Sequence, residues 1–431
     1  MTAPMSPGRF LFCTWEGGGH VPPMVTVARR LAARGHAVTL LSDEANRSDA
    51  AGLPFRTWSR APNRPDKRPE SDPVREWEPD NPAGVLQRLL DGVIAGPALA
   101  YAQDTLDAIA ELGPDVVISQ ELLFGVMAAA EAAQVPLCLF TTNVWSFPDP
   151  LGQPPFGTGF PPAKTEADRA RDAMVRAVTR QLFDGGRPAL NGAREAIDLA
   201  PLPHLLDQLT VARRVLLGVS SAWDFPTNEP PPEPFRYIGP VVEDPSWTAG
   251  WSSPWPADDP RPLVVVSFST FFQGQTDQIA RTMEALRPLA VRAVVTLGPA
   301  LDPAAFHPPE HILVVQSASH DALIPEAALL ITHAGHGTAV RAIRHGVPIL
   351  ALPMGRDQVD NASRIALRGA GLRLDPAASP EAIRGAVQTI LGDRSFAEAA
   401  AELGAALRGA QDADPVAELE QLAGERAPTR P

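Results

Sequence analysis

The sequence predicts an α/β protein in two halves, each a parallel sheet covered by helices on both faces, with a cleft between them. Two observations predict it. Short, unbroken apolar runs alternate with helix-patterned segments in FLFCTW, AVTLLS, PDVVIS and VPLCLFTT, and again in PLVVVSFS, RAVVTLG, HILVVQS, ALLITH and PILALP. Strands buried on both faces read this way, whereas half-exposed strands alternate polar with apolar. The two series are separated by a proline-rich stretch, Pro226 to Pro262, that contains PPPEP and has little periodicity.

Each element has its local signals. RFLFCTW runs into the turn Gly17-Gly18-Gly19, and Pro22 and Pro23 suit the first turn of a helix. That helix carries Met24, Val27, Ala28 and Leu31 at helical spacing and ends before Gly35. AVTLLS is a strand closed by Asp43, and a helix is expected from Gly125 to Gln134 between PDVVIS and VPLCLFTT. In the second half a helix is expected from Thr276 to Leu289, and the tail from Pro380 is helical and alanine-rich. Two Rossmann-like domains are expected: 1–225, then a linker at 226–262, then 263–395, with a helical tail at 396–431. Two irregular loops stand out, Arg60 to Pro82 and Pro148 to Pro162, and long loops in compact domains are usually functional or disordered.

Composition narrows the function. The 431 residues are 45% hydrophobic and carry a net charge of -13. Such a chain does not favour nucleic acid or an anionic membrane. A bound anion must be held by local dipoles and a few cations. Cys13 and Cys138 lie in apolar strands and read as buried, reduced thiols. The N-terminus lacks the pattern of a signal peptide, and no apolar run reaches the roughly 18 residues of a membrane helix. A soluble cytoplasmic protein is expected.

The most informative stretch is Thr332 to Asn361, THAGHGTAVRAIRHGVPILALPMGRDQVDN. Gly335, Gly337 and Thr338 follow a strand and open a helix. Glycines permit close backbone approach, and a helix N-terminus directs N–H groups and a positive dipole at a phosphate. His333 stands at the strand end, where it could donate to a phosphate, whereas His336 reads as a solvated turn residue. A plain strand–turn–helix is the alternative. After the next strand come Arg356, Asp357, Gln358 and Asn361; a carboxylate beside an amide suits vicinal hydroxyls of a sugar, and a capping Asp is the alternative.

THAGHGT followed by HGVPILALPMGRDQVDN resembles the nucleotide-sugar signature of family-one glycosyltransferases with the GT-B fold, in their bacterial natural-product branch. VVVSFST at 264–270, YIGPV at 237–241 and GGGH at 17–20 fall where that family would place them. The resemblance implies that His333, Gly335, Gly337 and Thr338 hold the diphosphate, that Ser269 and Thr270 touch the β-phosphate, and that Asp357 and Gln358 bind sugar hydroxyls. It implies a base-binding loop at Gln316 to His320, including Ser317. Relatives often carry an aromatic residue near Ser317 and this chain has none, so a UDP- and a dTDP-linked donor both stay open.

His20 ends the glycine turn of the first strand, and an imidazole there suits a general base for an attacking hydroxyl. A helix-start histidine filling a turn is the alternative. The resemblance implies the same catalytic role, with an aspartate after VVIS as partner. Here that loop reads Gln120-Glu121, leaving either Glu121 by a loop adjustment or Gln120 by hydrogen bonding. A phenol or carbon acceptor stays open. Asp412-Ala413-Asp414 has the spacing of a metal-binding pair but precedes a helix and reads as a cap. An inverting, metal-independent displacement with no cofactor is therefore expected. Trp145, Phe147, Phe156 and Phe160 either line an apolar acceptor pocket or pack their own loops; a pocket would suit a polyketide, flavonoid or macrolide-like alcohol or phenol. Three rivals remain: a nucleotide-sugar epimerase, a non-catalytic binding protein, and an NAD(P)-dependent oxidoreductase using Gly17 to Gly19 and Asp43. The glycines do not follow GxGxxG spacing.

Overall fold

A computed structural model describes residues 7–425, apart from 80, 149–150, 228, 244–247, 269–271 and 300. The first sheet holds β1 (Arg9–Cys13), β2 (Ala37–Ser42), β3 (Phe55–Thr57), β4 (Val116–Gln120), β5 (Leu137–Thr141), β6 (Arg214–Leu217) and β7 (Phe235–Tyr237). Their order is β3-β2-β1-β4-β5-β6-β7, and every pairing is parallel. The second sheet holds β8 (Leu263–Ser267), β9 (Arg292–Thr296), β10 (Ile312–Val315), β11 (Leu329–Thr332), β12 (Ile349–Ala351) and β13 (Gly371–Arg373). Its order is β10-β9-β8-β11-β12-β13, again all parallel. In both sheets the order reverses beside the first strand, at β1/β4 and at β8/β11. Such a switch point opens a crevice at the carboxyl ends of the strands. The two Rossmann-like sheets thus bring the ends of β1, β8 and β11 towards one cleft.

The apolar runs form the central strands, with β4, β5 and β8 buried at every residue. Pro22 and Pro23 lie in the first turn of the helix Val21–Ala33, where no intrahelical N–H is lost. The expected helices are slightly shorter than read, Phe124–Ala132 and Thr276–Leu286. Cys13 and Cys138 are free and fully buried, and burial pushes both thiols well up.

The boundaries need correction at both ends of the second half. The proline-rich stretch is not wholly a linker, because Phe235–Tyr237 inside it is the edge strand β7 of the first sheet. Its neighbours mask it, since a three-residue strand carries no readable period. The tail is shared. Its last helix, Pro415–Gly424, returns to the first half, where Val416, Leu419 and Leu422 pack with Phe10, Val21 and Phe140. Asp414 caps that helix by accepting from the N–H groups of Val416 (2.7 Å) and Ala417 (3.0 Å), and Asp412 accepts from Ser221. Among the described residues no helix is long and apolar enough to cross a membrane.

Candidate active site

β11 delivers the chain to Ala334, whose φ of +68° is unusual for a residue with a side chain. Two bonds hold it there: its N–H donates to Thr332 Oγ1 (3.3 Å), and its carbonyl accepts from Asn361 Nδ2 (3.0 Å). Gly335 then caps the helix His336–Arg344. A Cβ at Gly335 would stand 2.6 Å from His333 Nε2, so glycine lets the imidazole lie against the turn. The first N–H groups of a helix have no partner within it, and the residues of this first turn, His336, Gly337 and Thr338, line the cleft. Together with the helix dipole they make a site for an anion.

His333 is buried, and Thr332 Oγ1 lies 3.3 Å from its Nδ1. Burial, with a smaller contribution from the Arg356 guanidinium, pushes its pKa down to about 3. The ring is therefore neutral, with one N–H to give. His336 is a correction. It is buried with its ring edge-on to Trp223 (5.7 Å between centroids), and burial pushes its pKa down to about 4. The solvated reading failed because Trp223 comes from the other half of the chain.

Asp357 and Gln358 both line the cleft. Asp357 accepts from Asn361 Nδ2 (2.7 Å), and burial pushes its carboxyl up to about 6. The Gln358 amide is already engaged: its oxygen accepts from the N–H groups of Met354 (2.7 Å) and Gly355 (3.2 Å), and its Nε2 donates to Gln273 (2.8 Å). These bonds tie Gln358 to its own loop, and its Nε2 keeps a second N–H at the cleft. Asn361 is fully buried and ties Asp357, the Ala334 carbonyl and Trp223 Nε1 together. It supports the site from beneath and does not reach into it.

Ser317 lies on the cleft wall with Gln316, Ala318 and His320. Its Oγ accepts from the Ala249 N–H (3.2 Å), so the linker closes this end. His320 Nε2 lies near Ser267 Oγ (3.3 Å) and Thr296 Oγ1 (3.4 Å), both of which also line the cleft. Ser269 and Thr270 lie outside the described residues.

Across the cleft, His20 caps the helix Val21–Ala33 after the left-handed Gly18 (φ +83°). Its Nδ1 lies 3.0 Å from Thr142 Oγ1, at the end of β5. Loss of hydration, then the Arg356 charge, pushes its pKa down to about 3. Part of the ring stays open to the cleft, so a ligand's own charge can act on it directly.

The carboxylate-partner reading is corrected. Gln120 Oε1 accepts from Trp15 Nε1 (3.1 Å) and the Leu122 N–H (3.0 Å). Glu121 is buried with Thr141 Oγ1 (3.2 Å), and burial pushes it up to about 7. Neither side chain bonds to His20, Gln120 Nε2 and Glu121 Oε2 being buried without a hydrogen-bond partner among the described residues, and Thr142 stands at His20 instead. Asp43, the acid an oxidoreductase would use on a ribose, is buried, accepting from the N–H groups of Glu16 (2.8 Å) and Arg64 (2.6 Å).

None of the four aromatic residues lines the cleft with His20. Trp145 and Phe147 are core residues, packed edge-on to each other and against Phe235, Phe124 and Phe183. Phe156 lines a small separate cavity with them, and Phe160 lies under the Arg171 guanidinium, 4.0 Å away. Their loop straps the halves together: the N–H groups of Gly157 (2.7 Å) and Gly159 (2.9 Å) donate to Asp360. Thr142, Gln273 and Lys67 line the cleft without a sequence signal, and Ser267 lines it from within VVVSFST. The first three belong to no motif, and the meeting of the halves brings them there.

Two parallel sheets with an anion-binding helix end facing a histidine define a GT-B architecture. Residues 280–420 match the Erythromycin biosynthesis protein CIII-like C-terminal domain. The chain is 28% identical over 413 residues to 4'-demethylrebeccamycin synthase of Lentzea aerocolonigenes, covering 92% of this chain and 94% of the relative. It is 28% identical over 394 residues to demethyllactenocin mycarosyltransferase of Streptomyces fradiae, covering 89% and 79%. Among solved structures, the glycotransferase of kitacinnamycin superposes with a TM-score of 0.72 at 20% identity, covering 97% of this chain and 100% of that one. The glycosyltransferase VinC, solved in complex with dTDP, superposes with a TM-score of 0.64 at 20% identity over 97% and 100%. The fold is GT-B, and along most of its length the chain is similar to glycosyltransferases of bacterial natural-product pathways.

Proposed function

We propose that this chain is a glycosyltransferase that moves a sugar from a nucleoside-diphosphate sugar to a hydroxyl of a lipophilic natural-product aglycone, by a single inverting displacement without a metal. One observation carries this: His20 shares a cleft with His333, Asp357 and the N-terminus of the helix His336–Arg344. The diphosphate would lie at the helix N-terminus, taking N–H bonds from Gly337 and Thr338 and from His333. Asp357 would accept from the sugar hydroxyls.

The acceptor oxygen attacks the anomeric carbon from the His20 side as the bond to the diphosphate oxygen breaks on the other. The acceptor proton passes to His20 Nε2, and Thr142 Oγ1 accepts from Nδ1–H to fix that tautomer. The diphosphate leaves with the electron pair, stabilised by preorganised N–H groups. Its negative charge raises the basicity of the nearby imidazole, offsetting the depression seen in the open cleft.

The first donor to test is dTDP-linked, because VinC and the spinosyn rhamnosyltransferase SpnG were solved with that nucleotide. A matrix of UDP- and dTDP-sugars against phenolic and aliphatic aglycones, read by mass spectrometry, tests the reading. A glycoside product supports it. Hydrolysis or epimerisation of the donor alone, with no glycoside from any pair, overturns it.

A further inference from the structure

Arg356 is the residue before Asp357, in the loop between β12 and the helix Gln358–Leu367. Its φ is +54°, a left-handed conformation that costs a residue with a Cβ roughly 1–2 kcal/mol. Such strain persists where the surroundings over-determine it. Here the surroundings come from the other half of the protein. Nη1 donates to the Gly17 carbonyl (2.9 Å), and Nε bonds to the Glu76 carboxylate (2.8 Å and 3.0 Å to its two oxygens).

Both partners are themselves fixed. Gly17 lies three residues before His20 in a turn also held by the bond from Gly18 N–H to Glu16 Oε1 (3.0 Å). Glu76 is 7% exposed and receives Gln273 Nε2 (3.3 Å), while the next residue, Trp77, packs edge-on against Phe272 (5.1 Å). Gln273 in turn accepts from Gln358 (2.8 Å). The loop 60–82 is thereby joined to the segment that carries Asp357.

Resting on the reading of His20 as the base, we propose that Arg356 is its positioning residue. It locks the Gly17–Gly19 turn to the loop that carries Asp357, with Glu76 as counter-ion, and so holds the base in place across the cleft. The planar fork matters. A guanidinium meets a carbonyl and a carboxylate at once, whereas a lysine ammonium on a single stem cannot hold both in this geometry.

The test uses Arg356→Ala, Arg356→Lys and Glu76→Gln in the full chain. It reads kcat at saturating donor and acceptor, the Kd for dTDP and UDP by calorimetry, and amide exchange of the segment 16–20 with nucleotide bound. Arg356→Ala should lower kcat about 10- to 100-fold, the range of one charge-assisted hydrogen bond, with Kd changed less than about 3-fold. Exchange at 16–20 should quicken, and Arg356→Lys should recover only part of kcat. Glu76→Gln should shift kcat and exchange in the same direction by less, and it decides the matter if Arg356→Ala fails to fold. Unchanged kcat and exchange overturn the proposal, as does a loss confined to nucleotide affinity, which would make Arg356 a donor ligand. The exchange readout needs no turnover, so an enzyme without transferase activity would overturn the proposed function while the latch is still decided.

Discussion

Thr142 Oγ1 lies 3.0 Å from Nδ1 of His20. A hydroxyl accepting from Nδ1–H leaves the lone pair on Nε2, facing the cleft, but lends little charge to a forming imidazolium. A carboxylate would lend more. Transfer should therefore depend on how readily the acceptor gives up its proton. In a series of acceptors of rising pKa, kcat/KM should fall steadily from phenols to aliphatic alcohols. Thr142→Val should lower kcat by about 10-fold and steepen that dependence, as loss of one neutral hydrogen bond permits. A flat series would show that proton removal is not limiting at His20.

Asp357→Ala should act on the sugar alone. The expected result is a donor KM raised by about 10-fold or more, with dTDP or UDP affinity and acceptor KM within about 3-fold, since one hydrogen bond to a charged group is lost. Calorimetry with nucleotide and with nucleotide-sugar separates these. Equal weakening of both would place Asp357 at the diphosphate.

Asn361 stabilises the donor side without touching ligand. Its amide holds Asp357, the strained Ala334 carbonyl and Trp223 from the other half. Asn361→Ala should cost about 2–4 kcal/mol, because buried partners are left unsatisfied. Urea unfolding measures this; a loss below about 0.5 kcal/mol would contradict the role.

Buried carboxyls give the fold a pH dependence of known sign. Glu121 is raised from 4.5 to about 7, and Asp43 and Asp357 are raised to about 7 and about 6. Between pH 4.5 and 7 the folded chain keeps protons on them that the unfolded chain releases. Stability from these groups is thus complete below about pH 4.5 and lost as pH rises towards 7. Glu121→Gln removes its share, at most about 3 kcal/mol. Relative to the parent, its Tm should improve from pH 5 to pH 8. Parallel curves would refute the assignment.

The fold was legible because its core strands are unbroken apolar runs and its turns carry glycine. Much of the second half's cleft wall was legible because His333, Gly335, Gly337, Thr338 and Asp357 sit within one contiguous stretch. What failed was non-local. Trp223 buries His336, Thr142 takes the place expected of Gln120 or Glu121, and Gly157 and Gly159 use their loop to grip Asp360. Spacing along a chain carries no signal for a contact made by another domain. Trp145 and Phe147 misled for a related reason, since loop aromatics fill a core as readily as they line a pocket.

The central claim is that His20 takes the acceptor proton opposite a departing diphosphate. Its most direct test is single-turnover transfer by His20→Ala, with the anomeric configuration of the parent enzyme's product read by NMR. The account predicts inversion in the parent and a loss of about 10²- to 10⁴-fold in the variant, with dTDP or UDP binding within about 3-fold. Retained configuration, or transfer by His20→Ala at the parent rate, would contradict it.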